Sequence, residues 1–248
     1  SSNQAVIGLD GTVYPPLEDM TVSVMYRVVC KDDPEDFAVD HFKEVSVTVP
    51  GRYTASPSDN ARPSVVPGIR EWKGHSGNFS LTGSSRIVVE DSALHETAEQ
   101  IRFYFQQMLG RDLPIVTAQA NAGDLVLCLD DLPELGEEGY AIEIADQVTV
   151  SAHRPKGALY AGVTLTQILY QDSAHASLPK GLIRDYPQYE VRACMLDVAR
   201  FYMPLDYLGE ITRYMAYFKL NEIRLHINDN GGENDISFRV ESRICLQL

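Results

Sequence analysis

The 248-residue sequence predicts an α+β domain, with a β-rich leader before it and the beginning of a β/α unit after it. Three observations predict this order. Apolar residues alternate with polar ones near the amino terminus, they recur at spacings of three and four in the middle, and the end of the chain runs as strand, helix and strand. The predicted parts are residues 1–50, 51–76, 77–187 and 188–248.

Composition and charge narrow the class of partner. The chain has 21 Lys and Arg against 35 Asp and Glu, a formal net charge of −14. Such a field repels polyanions, and no run of Lys or Arg offers a local basic patch, so nucleic acid is not an expected partner. No stretch of about 18 apolar residues occurs, so no membrane-spanning segment is predicted. The four cysteines lack the spacing of common zinc sites, and neither a metal nor a cofactor is expected.

The leader, residues 1–50, is predicted to be β structure. Apolar residues alternate with polar ones in two segments, at Val22, Val24, Tyr26, Val28, Val45, Val47 and Val49. Period-two alternation buries one face of a sheet, which predicts two strands of a small sandwich-like module. Two strands do not support themselves, so the rest of the module is expected from residues 8–17 or from a preceding part of the protein.

Residues 51–76 are rich in glycine, proline, serine and charge, which predicts a linker or an extended crossover. The only tryptophan, Trp72, falls in this segment. Two hypotheses follow for its side chain. It is either a stacking platform for a sugar ring or a plug between two domains.

The middle of the chain, from Asn78 to Pro187, predicts the order β-β-α-β-β-β-α. Asp91 or Ser92 is a suitable cap for the first helix, and Gly110 is well placed to end it. The predicted strands are residues 79–81, 86–89, 124–129, 140–144 and 148–152, and the second helix is residues 156–170. This pattern is typical of an α+β domain.

The end of the chain changes character. Residues 191–196 form a nearly continuous apolar run, which is typical of a strand covered on both faces. Pro204 is suited to a helix entry, because its missing N–H costs nothing there. The alternation of apolar and polar residues over 221–227 predicts a second strand. A crossover of this length indicates a parallel strand–helix–strand unit, at most one quarter of an eight-stranded barrel.

Candidate functional residues follow these two strands, at the edge where function gathers in β/α folds. After the first strand comes Arg200, whose planar fork of donors suits vicinal sugar hydroxyls. His226 and Asp229 close the second strand, as a polar strand residue and an acceptor for a hydroxyl or a histidine. Structural roles also account for them: a local ion pair between Arg200 and Asp197, a capping loop at 228–232, and a hydrogen-bonded interior histidine.

The motifs around these residues resemble family 20 of the glycoside hydrolases. Residues 189–200, Y-E-V-R-A-C-M-L-D-V-A-R, are similar to the opening barrel strand of that family, R-G-x-M-L-D-x-x-R. The sequence H-I-N-D-N at 226–230 is similar to the family's H-[LI]-[ST]-D-[DN], and K-L-N at 219–221 to its K-x-N. The 29 residues from Arg200 to Asp229 match the family's spacing. Residues 157–169 resemble the end of the domain that precedes these barrels.

The resemblance implies an α+β domain followed by the start of a (β/α)8 TIM barrel, with a β-rich N-terminal leader. It also implies a secreted or cell-surface enzyme of the β-N-acetylhexosaminidase or lacto-N-biosidase type, with a glycan substrate. Arg200 matches the arginine that holds O3 and O4 of the terminal N-acetylhexosamine. Asp229 matches an aspartate that supports the acid/base apparatus together with a later histidine. His226 matches a histidine with a mainly structural role.

The sequence departs from the family at the rim of the site. Phe201 stands where many members have histidine, and Arg224 replaces the first histidine of an H-x-H strand. The family's substrate-assisted mechanism uses an adjacent Asp-Glu pair after the fourth barrel strand, which is expected beyond Leu248. We therefore expect an N-terminal portion that holds substrate, carries no catalytic residue and is inactive alone.

Three further expectations complete the sequence analysis. A barrel cut after two strands exposes apolar faces, which favours a homo-oligomer. One alternative function is a non-catalytic carbohydrate-binding or interaction module. The other is a different TIM-barrel glycosidase, such as an α-glucuronidase.

Overall fold

The computed structural model describes residues 1–27, 31–32 and 42–227. For residue 42 the description covers the backbone alone. The chain divides into two compact units, Ser1–Gln188 and Tyr189–Leu248. The leader and the α+β part lie together in the first unit. The strand–helix–strand segment makes up the described part of the second.

The leader forms an antiparallel pair of strands, β1 (Met20–Arg27) and β2 (Phe42–Val49), in which Val22 lies opposite Val47. The two predicted strands are therefore present. Their apolar face is covered only at one end, where Val22 and Val49 pack against Val6. Val45 and Val47 on the same face are exposed. Among the described residues, the leader is thus a two-stranded ribbon rather than a sandwich.

The predicted linker ends earlier than expected, because strand β3 spans Glu71–Ser80. Trp72 lies on this strand, opposite Ile183, and it is buried in the main hydrophobic core. Its indole Nε1 donates to the backbone oxygen of Asn60 at 3.1 Å. Both hypotheses for Trp72 are therefore wrong: the ring is a core side chain of the α+β sheet. The alternation that marks a strand is hidden by glycines and by an irregular register between Gly74 and Asn78.

The α+β part is built on one seven-stranded mixed sheet of order β3-β9-β7-β8-β6-β4-β5. The remaining strands are β4 (Ile87–Val89), β5 (Ile115–Val116), β6 (Leu125–Leu129), β7 (Tyr140–Ile144), β8 (Val148–Ala152) and β9 (Ser177–Asp185). The helices are α1 (His95–Tyr104) and α2 (Pro155–Gln171). The predicted elements are confirmed within a few residues, except that the strand predicted at 79–81 is the end of β3, which begins at Glu71. Strands β5 and β9 were not predicted from the sequence.

Both helices pack on one face of this sheet, and three sequence features correspond to their ends and to their contact. Asp91 accepts a hydrogen bond from the N–H of Ala93 and begins a short 3₁₀ turn that leads into α1. Gly110 ends the helical segment in the left-handed conformation, with φ of 64°. Between the helices, a Cβ on Gly162 would lie 2.3 Å from the Cγ1 of buried Ile101, so only glycine fits this crossing.

A buried ion pair joins the leader to the edge of the sheet. The guanidinium of Arg184 on β9 lies 2.6 Å from the carboxylate of Glu71 on β3, and both side chains are almost fully buried. Glu71 also accepts from the N–H of Leu17 at 2.8 Å, and Arg184 donates to the oxygen of Ala5 at 2.6 Å. The amino-terminal residues thereby satisfy polar groups that the sheet alone would leave unpaired.

Tyr186 extends this cluster. Its hydroxyl donates to Glu71 at 2.9 Å and accepts from the side-chain amide of Asn3 at 2.7 Å. Burial, followed by the nearby carboxylate of Glu71, raises the pKa of the Tyr186 hydroxyl to about 12. The hydroxyl therefore stays protonated, and remains a donor, at any physiological pH.

The second unit is a parallel strand–helix–strand: β10 (Ala193–Asp197), α3 (Leu205–Tyr217) and β11 (Glu222–His226). This arrangement confirms the predicted order, with Pro204 at the helix entry. The prediction that the first strand is covered on both faces is wrong for the described residues, because the Met195 side chain is 63% exposed. The assignment of this unit to the start of a TIM barrel stays a prediction.

We predict that replacing Glu71 by alanine destabilises the first unit strongly. The change leaves the buried Arg184 guanidinium without its main counter-charge, which typically costs about 3–5 kcal/mol in the free energy of unfolding. Urea unfolding followed by circular dichroism measures the change. The matched control is Asp146→Ala, which removes the exposed partner of Lys180 and should alter the midpoint little. Equal midpoints for the two variants would contradict the role given to the buried pair.

Candidate functional site

The carboxyl ends of β10 and β11 lie at one edge of the parallel pair, with Asp197 directly beside His226 in the register. The chain turns sharply after Asp197. The N–H groups of Val198 and Ala199 both donate to the backbone oxygen of His226, each at 3.0 Å. The turn that leads to Arg200 is therefore fixed to the neighbouring strand.

The carboxylate of Asp197 organises this turn. One oxygen accepts from the backbone N–H of Ala199 at 3.1 Å and of Arg200 at 3.0 Å, and the other accepts from the Arg200 guanidinium Nε. The backbone N–H of Arg200, followed by its guanidinium, holds the pKa of the Asp197 carboxyl below its ordinary value of 3.8. Asp197 is thus charged at neutral pH and fixes the direction of the arginine fork.

Arg200 itself points into solvent, with 58% of its side chain exposed. The ion pair uses the Nε edge of the guanidinium, whose two Nη groups carry four further donors. The local ion pair that sequence analysis offered as a structural role is therefore present. It does not exclude a binding role, because it orients the fork.

The remaining residues predicted at the site lie on or after β11, and the structure describes some of them. His226 is half-buried at the end of β11, and its backbone oxygen receives the two bonds from the turn. Arg224, two residues earlier, is exposed and pairs with Glu222. Asp229 and the capping loop at 228–232 lie outside the described residues. The structure therefore brings Arg200 and His226 to one edge, while the position of Asp229 stays a prediction.

Two aromatic side chains beside Arg200 were not proposed as ligand contacts from the sequence. Phe201 and Tyr202 are each 71% exposed directly after the guanidinium. Exposed aromatic faces next to a planar donor group suit the apolar faces of a sugar ring. The signal for them was an aromatic pair immediately after a strand end.

The described part of the chain contains no group of three His, Cys, Asp or Glu side chains that could hold a metal ion. Within the same residues, no helix is long and apolar enough to cross a membrane. The described side chains at the strand-end edge offer a charged donor in Arg200, a carboxylate in Asp197 and the aromatic surfaces of Phe201 and Tyr202.

Comparison with known proteins places an α+β domain and a β/α unit of this kind in one enzyme family. Residues 62–186 match the model for glycosyl hydrolase family 20, domain 2, and residues 189–243 match the model for the catalytic domain of the same family. The chain belongs to glycosyl hydrolase family 20. The family predicted from the strand-end motifs is confirmed.

Individual relatives agree with this assignment. The chain is 27% identical over 192 residues to a beta-hexosaminidase of Vibrio furnissii, covering 77% of this chain and 30% of that protein. It is 26% identical to a lacto-N-biosidase of Bifidobacterium bifidum, covering 71% of this chain and 16% of the relative. The structure of an N-acetyl-beta-hexosaminidase of Streptomyces plicatus is similar over 71% of this chain and 36% of that one, with a TM-score of 0.59 and 26% identity. The chain thus spans about a third or less of the length of these relatives.

We predict that Asp197 titrates below its ordinary value and keeps part of that shift when Arg200 is replaced by alanine. The backbone N–H of residue 200 remains as a donor in Arg200→Ala, while the guanidinium is lost. Because the pKa is lowered on folding, the stabilisation from Asp197 is present above pH 3.8 and is lost as the pH falls through the lowered value. Carbon-detected NMR titration of the carboxyl measures both values.

The control for this titration is Arg224→Ala, which removes an exposed guanidinium paired with Glu222 on the neighbouring strand. It should leave the Asp197 titration unchanged. An ordinary pKa for Asp197 in the unaltered chain would contradict the described turn. Complete loss of the shift in Arg200→Ala would show that the guanidinium alone causes it.

Proposed function

We propose that the protein is a glycoside hydrolase that removes a terminal N-acetylhexosamine, or a disaccharide that contains it, from glycans. The observation that carries the proposal is the match of both adjoining parts of the chain to family 20, with Arg200 exposed at the carboxyl edge of the matched β/α unit. The names of the relatives, beta-hexosaminidase and lacto-N-biosidase, support this substrate class. The family match also favours this activity over that of an α-glucuronidase.

Arg200 is the proposed substrate-holding residue. A guanidinium presents paired donors in one plane, which suits two adjacent hydroxyls such as O3 and O4 of the terminal sugar. Asp197 holds the fork by its Nε edge, and the Nη groups are the proposed contacts to the sugar. Asp197 is therefore a positioning residue, and Arg200 is the one that contacts the sugar.

Asp229 and His226 are assigned supporting roles. Asp229 follows the second strand by the family's spacing and is proposed to act with a later histidine on the acid/base group. His226 is proposed to be structural. The two hydrogen bonds from the Arg200 turn to its backbone oxygen support that role.

The proposed reaction is substrate-assisted. The acetamido oxygen of the substrate attacks the anomeric carbon, a glutamic acid protonates the leaving glycosidic oxygen, and an adjacent aspartate orients the amide. Water then opens the cyclic intermediate. The 248 residues contain no Asp-Glu dipeptide, so we propose that they hold the sugar and do not perform these steps. Secretion or display on the cell surface also stays a proposal, as does a homo-oligomer formed through the exposed apolar faces of the strand–helix–strand unit.

The decisive variant for this function is Arg200→Ala, made in the complete natural protein. Loss of a charged donor to two hydroxyls is expected to lower kcat/KM on p-nitrophenyl N-acetylglucosaminide by about 10- to 100-fold. Arg102→Ala is the matched control, because it removes a partly exposed arginine of α1 that pairs with Asp112. Equal activity of the two variants would contradict the role of Arg200.

The same assay separates an enzyme from a non-catalytic binding module. If the complete natural protein binds N-acetylglucosamine but does not hydrolyse p-nitrophenyl N-acetylglucosaminide, the binding module is favoured. The 248-residue chain by itself is expected to show no turnover. Clear hydrolysis by that chain would overturn the proposal that its residues hold substrate without cleaving it.

A further inference from the structure

The first unit contains a cavity of about 240 Å³ on the face of the seven-stranded sheet opposite to α1 and α2. Successive side chains of a strand point to opposite faces, and Ile142 and Val150 point into the helix-covered core. Ala141 and Ser151, which are paired in the register of β7 and β8, therefore face the other way. They form part of the cavity floor together with Thr149, Glu143 and Leu182.

The side chains at the centre of the cavity floor are small. Ala141 and Ser151 lie opposite each other, and Thr149 lies opposite Glu143 one step along the same strands. Short side chains here leave room for a ligand, while two hydroxyls and a carboxylate offer hydrogen-bonding groups. A sheet face with this composition differs from the helix-covered face, where the same strands carry Ile, Val and Tyr.

Arg52 and Tyr53, which follow the leader directly, form one wall, and backbone hydrogen bonds hold them in place. The N–H of Arg52 donates to the oxygen of Pro16, and that of Tyr53 to the oxygen of Leu17, both at 2.9 Å. A Cβ on Gly51 would lie 2.3 Å from the backbone of Glu18, so glycine permits this close approach. The wall is thus preorganised rather than a loose surface loop.

The wall side chains offer a stacking surface and a planar donor group. Tyr53 is 43% exposed and is one of the residues that line the cavity. Arg52, which also lines the cavity, donates through Nε to the oxygen of Pro15 at 2.9 Å, and this bond fixes the guanidinium by one edge. An aromatic face and a planar fork beside short hydroxyls are suited to the apolar and polar faces of a pyranose ring.

Charge and size narrow the ligand further. Arg184 is neutralised by Glu71 and lies 3.4 Å from Glu134, so the lining charges of Arg52, Glu134 and Glu143 nearly balance. A slight excess of carboxylates disfavours phosphate and other anions. The volume lies just below the roughly 300 Å³ at which pockets for drug-sized ligands begin, which suits a single ring.

We propose that this cavity is a second, non-catalytic sugar site that binds one neutral pyranose ring between Tyr53 and the floor formed by Ala141 and Ser151. The site belongs to the first unit and shares no residue with the strand-end edge that carries Arg200. The proposed sugar site does not depend on the proposed hydrolase activity. Its role is to hold a glycan, not to cleave it.

The test is an NMR titration of the 248-residue chain with N-acetylglucosamine, galactose and glucose, and with inorganic phosphate as the anionic probe. At least one sugar is expected to shift the amide signals of Tyr53, Ala141 and Ser151, with a dissociation constant of about 1 mM. Phosphate is expected to leave these signals unchanged. Absence of any sugar-dependent shift there up to about 10 mM would overturn the proposal.

Variants separate this site from the strand-end site. Tyr53→Ala should weaken sugar binding about tenfold through loss of the stacking surface, and Ala141→Phe should abolish it by filling the floor. Tyr26→Ala is the matched control, because it removes a tyrosine of similar exposure from β1, outside the cavity.

Arg200→Ala should leave the signals of this cavity unaffected. Retained binding in both cavity variants, with circular dichroism showing that they are folded, would overturn the proposal. Sugar-dependent shifts confined to the neighbourhood of Arg200 would also overturn it, while they would support the proposed hydrolase function.

Discussion

The buried pair of Arg184 and Glu71 is the interaction on which the first unit depends. Two neighbouring strands each bring one charge into a region from which water is excluded, and neither charge is tolerable without the other. The pair alone leaves a donor of Arg184 and an acceptor of Glu71 without hydrogen-bond partners. The leader provides these partners through the backbone oxygen of Ala5 and the N–H of Leu17. The leader is therefore part of the structural unit even though the family model for this domain begins at residue 62.

This constraint also explains the surroundings of the proposed second sugar site. Leu17 accepts the backbone bond that places Tyr53, and the N–H of the same residue donates to Glu71. The position of the cavity wall is thus set by the segment that completes the buried ion pair. Loss of that pair would loosen the wall as well as the sheet edge.

Local sequence signals predicted much of this fold. Period-two alternation located β1 and β2, and Asp91 and Gly110 marked the two ends of the first helical segment, because these features depend on neighbouring residues alone. Strand β9 was missed, since Pro179 and Gly181 are poor strand formers and its pairing with β3 spans about a hundred residues. The buried charges of Glu71 and Arg184 had no local signal at all, because their partners are distant in sequence.

The candidate site shows the same division. The sequence motif located Arg200 at a strand end, and the structure adds the Asp197 carboxylate that aims its fork. The central claim is that this fork holds a terminal sugar. A crystal structure of the protein from its source with N-acetylglucosamine bound tests it most directly. The account predicts hydrogen bonds from the Arg200 guanidinium to two adjacent ring hydroxyls. A sugar bound at the strand-end edge without any contact to Arg200 would contradict it.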